Sequence, residues 1–218
     1  MRLQSLTYEG FYKDPIAIRN KVLEHEFYPP NYLDNIPRTE GLDSDLVYEI
    51  SKIGNFCGVR TIRVEAILPE LNEYTNDIIK KVCNLPFKLQ IESYFTLQTI
   101  NDEINKSIHQ DNAPILAGIV YLTPNPAPNS GTVFYKHKVT GWHGLNQEKI
   151  PNMAIEDMQP TTRENQIISN FEEYGSIANC FNRMILYDSN VLHRPGNFFG
   201  NNKITGRLTQ AIFVYKSM

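Results

Sequence analysis

His109-Gln110-Asp111 places an imidazole and a carboxylate two residues apart. On an extended strand, side chains at i and i+2 leave the same face, so both groups can reach one ion. A third ligand is available at His193, in YDSNVLHRPG, directly after a strand-like run ending in MILYD. Two histidines and one carboxylate on one face of an octahedral ion make a facial triad suited to Fe(II) and dioxygen, with three coordination positions left open. A chelating 2-oxo acid fills two of them and dioxygen the third. Such an acid needs a cation deeper in the site, and Arg207 stands 14 residues after His193 in GRLTQAIFVY. Arg207 and Thr209 are again i and i+2. A guanidinium can grip a carboxylate with two parallel hydrogen bonds while a neighbouring hydroxyl adds a third. Buried without such a partner, an arginine would be costly.

These residues need a scaffold of strands. In KLQIESYFTLQ, Leu89, Ile91, Phe95 and Leu97 alternate with Gln90, Glu92, Tyr94, Thr96 and Gln98. Strand-like runs follow at 115–123, 131–138, 177–189 and 206–215, while 140–176 is mixed and polar and reads as an insertion with a short helix around 164–173. Upstream, Asp14-Pro15 reads as an N-cap and first helical residue of a helix running to about Glu26. Residues 28–46, rich in Pro, Asn and Asp, read as an extended loop. Leu71, Tyr74, Ile78 and Val82 recur at helical spacing in a second helix, ended by Asn84 and Pro86. Helices followed by many short strands indicate one α+β domain over 1–218, helical and looped over 1–87. Its mainly-β core from 88 on is a jelly roll or another double-sheet barrel.

Together HQD (109–111), LHRP around His193 and GRLTQ (206–210) resemble the 2-oxoglutarate/Fe(II) oxygenase superfamily, over roughly residues 88–215. YLTPNPAPNSGTVFY (121–135) resembles its prolyl-4-hydroxylase-like branch, in which a YL strand, a loop and a G-T-x-F strand follow the HxD motif. The resemblance implies a double-stranded β-helix (jelly roll) with N-terminal supporting helices, Fe(II) and 2-oxoglutarate. The reaction implied is hydroxylation of a peptidyl prolyl or other amino-acid side chain, with release of succinate and carbon dioxide. By resemblance, His109, Asp111 and His193 match the metal positions. Arg207 matches the basic residue that holds the cosubstrate's distal carboxylate, where many members of the branch have lysine. Thr209 stands beside it, and Tyr94 matches a position that can hydrogen-bond 2-oxoglutarate. Related halogenases have a small residue where Asp111 stands, so hydroxylation is expected over halogenation. Two rival readings keep the strands and change the chemistry: a catalytically silent jelly-roll binding module, and a cupin-like metal enzyme without 2-oxoglutarate.

Plainer roles suit the other polar residues. Asp188 reads as a turn residue rather than an alternative carboxylate ligand, Arg183 as structural with a substrate contact left open, His25 as a helix-end residue, and His137 and His143 as exposed loop histidines rather than liners of a substrate entrance with Trp142. The chain of 218 residues is 41% hydrophobic and 21% charged, as in ordinary globular proteins, and its formal charge of -3 with no basic stripe argues against nucleic acid as the main partner. Cys57, Cys83 and Cys180 are odd in number and never form CxxC, which fits reduced thiols. The N-terminal residues lack the apolar segment of a secretory leader, and no apolar run is long enough to span a bilayer. A cytoplasmic protein acting on a small-molecule, peptide or protein substrate is expected, in an oligomeric state that the sequence leaves open.

Overall fold

The structure, a computed structural model, describes residues 5–35, 43–53, 56–105, 108–111, 113–144, 151–158 and 168–217. The N-terminal part carries the helices. Asp14 caps α1 (Pro15–Leu23), its carboxylate accepting from the Ala17 amide at 2.9 Å with Pro15 in the first turn. This helix stops three residues before the expected Glu26. The expected loop over 28–46 is corrected at both ends: a 3-10 turn forms at Tyr32–Asn35, and α2 (Ser44–Ser51) begins inside it. Asp43 starts α2 by accepting from the amides of Asp45 and Leu46, so an aspartate that suggested loop is a helix cap. Residues 36–42 lie outside the described residues.

After β1 (Ser5–Tyr8) and the short β2 (Val59–Arg60) come α3 (Val64–Ile67) and the longer α4 (Pro69–Cys83). Asn84 ends α4 in the left-handed region at φ 40, as its position before Pro86 suggests. The buried face of α4 centres on Leu71, Thr75 and Ile79, with Tyr74 and Ile78 on its flank. It is turned from the apolar stripe because Thr75 is buried to bond Gln210.

The strands form two antiparallel sheets. The larger has the order β1-β7-β4-β9-β3-β2, with β3 (Leu89–Gln98), β4 (Leu116–Tyr121), β7 (Met184–Asp188) and β9 (Arg207–Lys216) at its heart. The smaller has the order β6-β5-β8, with β5 (Thr132–His137), β6 (Phe171–Ile177) and β8 (His193–Pro195). From β3 onward the chain crosses repeatedly between them: β3 large, the His109 bridge small, β4 large, β5 and β6 small, β7 large, β8 small, β9 large.

The strand β6 overturns the reading of 140–176 as wholly insertion. It is an edge strand with much of its surface exposed, so its sequence FEEYGSI is polar and hides the pairing with β5. A helix α5 (Asn152–Met158) lies in this segment, while 159–167 is outside the described residues, and the helix expected at 164–173 gives way from 168 to a 3-10 turn and then β6.

Both faces of the large sheet are covered. Outward, Phe95, Leu97, Leu208 and Ile212 pack with Val64 and Ile79 of the helices, each such burial contributing about 1.5–3 kcal/mol. On this side Gln210 accepts from the Tyr12 hydroxyl and donates to Thr75 and Ser93 at 3.2 and 3.1 Å. Inward, Tyr94, Thr96, Gln98, Arg207 and Thr209 are all buried although they are the polar half of the alternation. Their face lines a cavity rather than solvent. Among the described residues no helix is long and apolar enough to cross a membrane.

Candidate metal centre

His109 and His193 pair as an isolated antiparallel bridge, each amide donating to the other's carbonyl at 3.0 Å. The Asp111 amide donates to Ser189 O at 2.9 Å, which fixes the turn that brings its carboxylate round to both rings. His193 Nε2 lies 3.5 Å from Asp111 Oδ2, and His109 Nε2 lies 4.0 Å from Asp111 Oδ1. One ligand atom from each of the three residues falls within 4.8 Å of the others, and among the described residues this is the one group of three such side chains.

The proton on His193 is assigned by its surroundings. Nδ1 lies 2.9 Å from Val191 O, an acceptor only, so Nδ1 carries hydrogen and Nε2 presents its lone pair toward Asp111 and His109. Burial, reinforced by His109, pushes the His193 pKa down to about 4, against the pull of Asp111 and Val191. The ring is therefore neutral at neutral pH, the form a metal requires. Tyr187 packs against it edge-on at 4.8 Å.

A cavity of about 470 Å³ opens beside the three residues. Arg207, 2% exposed, lines it from the first position of β9, and Thr209 follows on the same face. The guanidinium donates from Nε to Ser130 O at 2.8 Å, from NH2 to Gly131 O at 3.3 Å, and from NH1 to Gln98 Oε1, and it lies 5.5 Å from the Tyr121 ring centre. Among the described residues no Asp or Glu forms an ion pair with it. Burial lowers its pKa; a guanidinium nonetheless keeps its proton in proteins, and neutral acceptors orient it without cancelling its charge.

All six residues expected in the site line this one cavity: His109, Asp111, His193, Arg207, Thr209 and Tyr94. Tyr94 pairs in register with Ala211, whereas Gln98 pairs with Arg207. Tyr94 accordingly lies toward the other end, its hydroxyl donating to Lys52 O at 3.5 Å and its ring facing Phe213. Three further residues bear on the site: Gln98 and, from β2, Arg60 line the cavity, and Tyr121 lies against the Arg207 guanidinium. Gln98 belongs to the polar half of the β3 alternation; nothing local marks Arg60 or Tyr121.

The other polar residues fall as follows. Asp188 accepts from Asn190 in a turn, and Arg183 pairs with Glu9 at 2.6 Å, both as expected. His137 corrects the reading of an exposed loop residue. It is fully buried at the end of β5, bonded to Thr140 at 2.9 Å and to Asp157 at 2.8 Å, and Trp142 is 1% exposed in the core with Ile108 and Leu192. Among the described residues Cys57, Cys83 and Cys180 form no disulfide.

Solved structures of HygX share this fold. HygX from Streptomyces hygroscopicus with nickel and 2-oxoglutarate bound superposes at a TM-score of 0.58 and 12% identity, over 98% of this chain and 83% of that one. The same protein with nickel, 2-oxoglutarate and hygromycin B bound gives 0.58 and 13%, with the same coverage. A Pseudomonas putida prolyl-4-hydroxylase aligns over 98% of this chain and 92% of its own at 0.49 and 11%. No curated protein matches by sequence. The fold is thus that of the 2-oxoglutarate-binding protein HygX, as the motifs implied. The model of DUF6445, a family of unknown function, matches residues 45–214, and the chain belongs to that family.

Proposed function

We propose that this chain is a non-haem Fe(II)- and 2-oxoglutarate-dependent dioxygenase that hydroxylates an amino-acid side chain, prolyl or other, releasing succinate and carbon dioxide. The observation that carries this reading is one cavity holding both the His109–Asp111–His193 cluster and the buried, carboxylate-free Arg207. The donor set fits the metal: two imidazole nitrogens and one carboxylate oxygen on one side suit Fe(II) and leave the cavity side open. Bound together, Fe(II) and 2-oxoglutarate supply the oxidant, coupling activation of dioxygen to decarboxylation of the cosubstrate.

The chain's own residues do the rest. His193 presents Nε2 in a fixed tautomer, and the reciprocal bridge keeps His109 in place beside it. Arg207, aimed by Ser130, Gly131 and Gln98, takes the far carboxylate of 2-oxoglutarate; Thr209 adds a hydroxyl, and Tyr94 completes the wall. HygX holding nickel and 2-oxoglutarate in the same fold supports the assignment. The alternation of strands between two sheets supports a double-stranded β-helix formed by 88–218, with 1–87 supporting it in a single domain.

The test is succinate formation by the purified protein with Fe(II), ascorbate, 2-oxoglutarate and dioxygen, in the presence of peptide and amino-acid pools. The wild type is expected to form succinate, and His193→Ala to form none above background. Equal rates in the two proteins, or none in the wild type with any pool, would sink the reading.

A further inference from the structure

A second arginine faces the cavity, and the cosubstrate does not account for it. Arg60 sits at the end of β2, its backbone clamped from both sides: Arg60 pairs with Thr96 of β3 and exchanges two hydrogen bonds with Tyr28, at 2.7 and 2.9 Å. Gly58 makes the approach possible. At φ +88 it holds a left-handed conformation, and a Cβ there would stand 2.3 Å from Leu97 O. The side chain is fixed as firmly as the backbone. Nε donates to Thr96 Oγ1 at 3.1 Å, NH1 to Ile53 O at 3.4 Å, and the guanidinium lies 4.1, 5.3 and 5.9 Å from the ring centres of Phe56, Tyr94 and Phe213.

Charge is what this arrangement lacks. Among the described residues no carboxylate forms an ion pair with Arg60. Glu92 lines the same cavity, but its carboxylate accepts from Gln90 at 3.2 Å. The carboxylate whose field reaches Arg60 is Asp111, a proposed metal ligand, whose charge a bound cation would offset. Burial lowers the Arg60 pKa to about 10, so it remains a cation at neutral pH. Arg60, Thr96 and Thr209 form one row across β2, β3 and β9, while Gln98 and Arg207 form the next. With strands about 4.8 Å apart, the two arginines enter the cavity from Cα positions roughly 10 Å or more apart. One dicarboxylate chelating the metal and seated on Arg207 therefore leaves Arg60 for another anion.

We propose that Arg60 is the anchor for the primary substrate, and that this substrate is a small molecule bearing a free carboxylate, gripped by the guanidinium and flanked by Phe56, Tyr94 and Phe213. This deepens the oxygenase reading and rests on it. The carboxylate sets the distance from the metal at which the substrate's C–H bond is presented, so Arg60 acts in substrate choice. An aromatic cage around a pre-oriented fork favours a carboxylate joined to an apolar body, since the body can pack on the rings while the charge meets the fork.

The test is a fragment set of small monocarboxylic acids, each paired with its carboxamide. The pairs are titrated by ligand-observed NMR into protein loaded with Ni(II) and saturating 2-oxoglutarate. Binders are expected among the acids, with the matching amides at least about tenfold weaker. Arg60→Gln should lose acid binding while its affinity for 2-oxoglutarate stays within about twofold, and Arg60→Lys should recover part of the acid binding because it restores charge without the fork. Circular dichroism melts of both variants establish that they are folded. The inference is overturned if acids and amides bind alike, if no acid binds, if Arg60→Gln keeps its acids, or if that variant loses 2-oxoglutarate, which would make Arg60 part of the cosubstrate site. A wild type that takes up no 2-oxoglutarate contradicts the oxygenase reading instead, and the same acid–amide titration without cosubstrate still reads Arg60.

Discussion

His109 and His193, 84 positions apart, are joined backbone to backbone by two hydrogen bonds of 3.0 Å each. This makes them one rigid unit, and the residues preceding them anchor it. Ile108 and Leu192 are 2% and 0% exposed and pack in one cluster with Trp142 and Tyr135. Leu192→Ala should therefore lower stability by about 2–5 kcal/mol through the cavity it leaves. It should also weaken metal binding although it touches no metal. Urea denaturation with and without Ni(II) measures both; unchanged stability would contradict the anchoring role.

Asp111 behaves differently. Its side chain is 19% exposed, and its amide, not its carboxylate, bonds to Ser189. Asp111→Ala should leave the apo protein's melting temperature within a few degrees of the wild type while lowering metal affinity by more than about 100-fold, beyond the loss typical of residues that only support a ligand. Competition with a metal-sensitive dye checks the second part, and an unchanged affinity would remove Asp111 from the proposed ligand set.

Much of this site was legible because its signals are local. HQD and RLT place pairs at i and i+2, and β3 and β9 alternate cleanly, so the shared face of Arg207 and Thr209 follows from period alone. What escaped is set by distant chain. Gln98 meets Arg207 only through the β3–β9 register, Arg60 reaches the cavity only because Gly58 lets β2 lie close to β3, and polar β6 forms because β5 offers it an edge. His137 reads as exposed because its sequence neighbours are polar, yet Asp157 and Thr140 satisfy the imidazole in the interior.

Stability has an acid-sensitive component where α2 meets the turn before α3. Arg63 donates to both oxygens of Glu49 on α2, from Nε at 2.9 Å and from NH2 at 2.5 Å, and these bonds hold the Glu49 carboxyl below its ordinary value despite burial. A carboxyl depressed in the folded state stabilises it above the unfolded pKa of about 4.3, and the effect fades as pH falls through the folded value. Glu49→Gln should cost about 1 kcal/mol at pH 7 and progressively less below pH ~4. Denaturant melts of both proteins across that range are the check, and a gap that persists in acid would exclude the ion pair as its source.

If the triad and Arg207 hold Fe(II) and 2-oxoglutarate together, anaerobic titration of both into the protein should produce the weak visible charge-transfer absorption that arises when Fe(II) is chelated by a 2-oxo acid. The wild type should develop this band. His193→Ala should show none, and Arg207→Lys, which keeps the charge but loses the fork, should need roughly tenfold or more 2-oxoglutarate to reach it. No band in the wild type at any concentration, or equal bands in all three proteins, would rule out joint binding of the two by these residues.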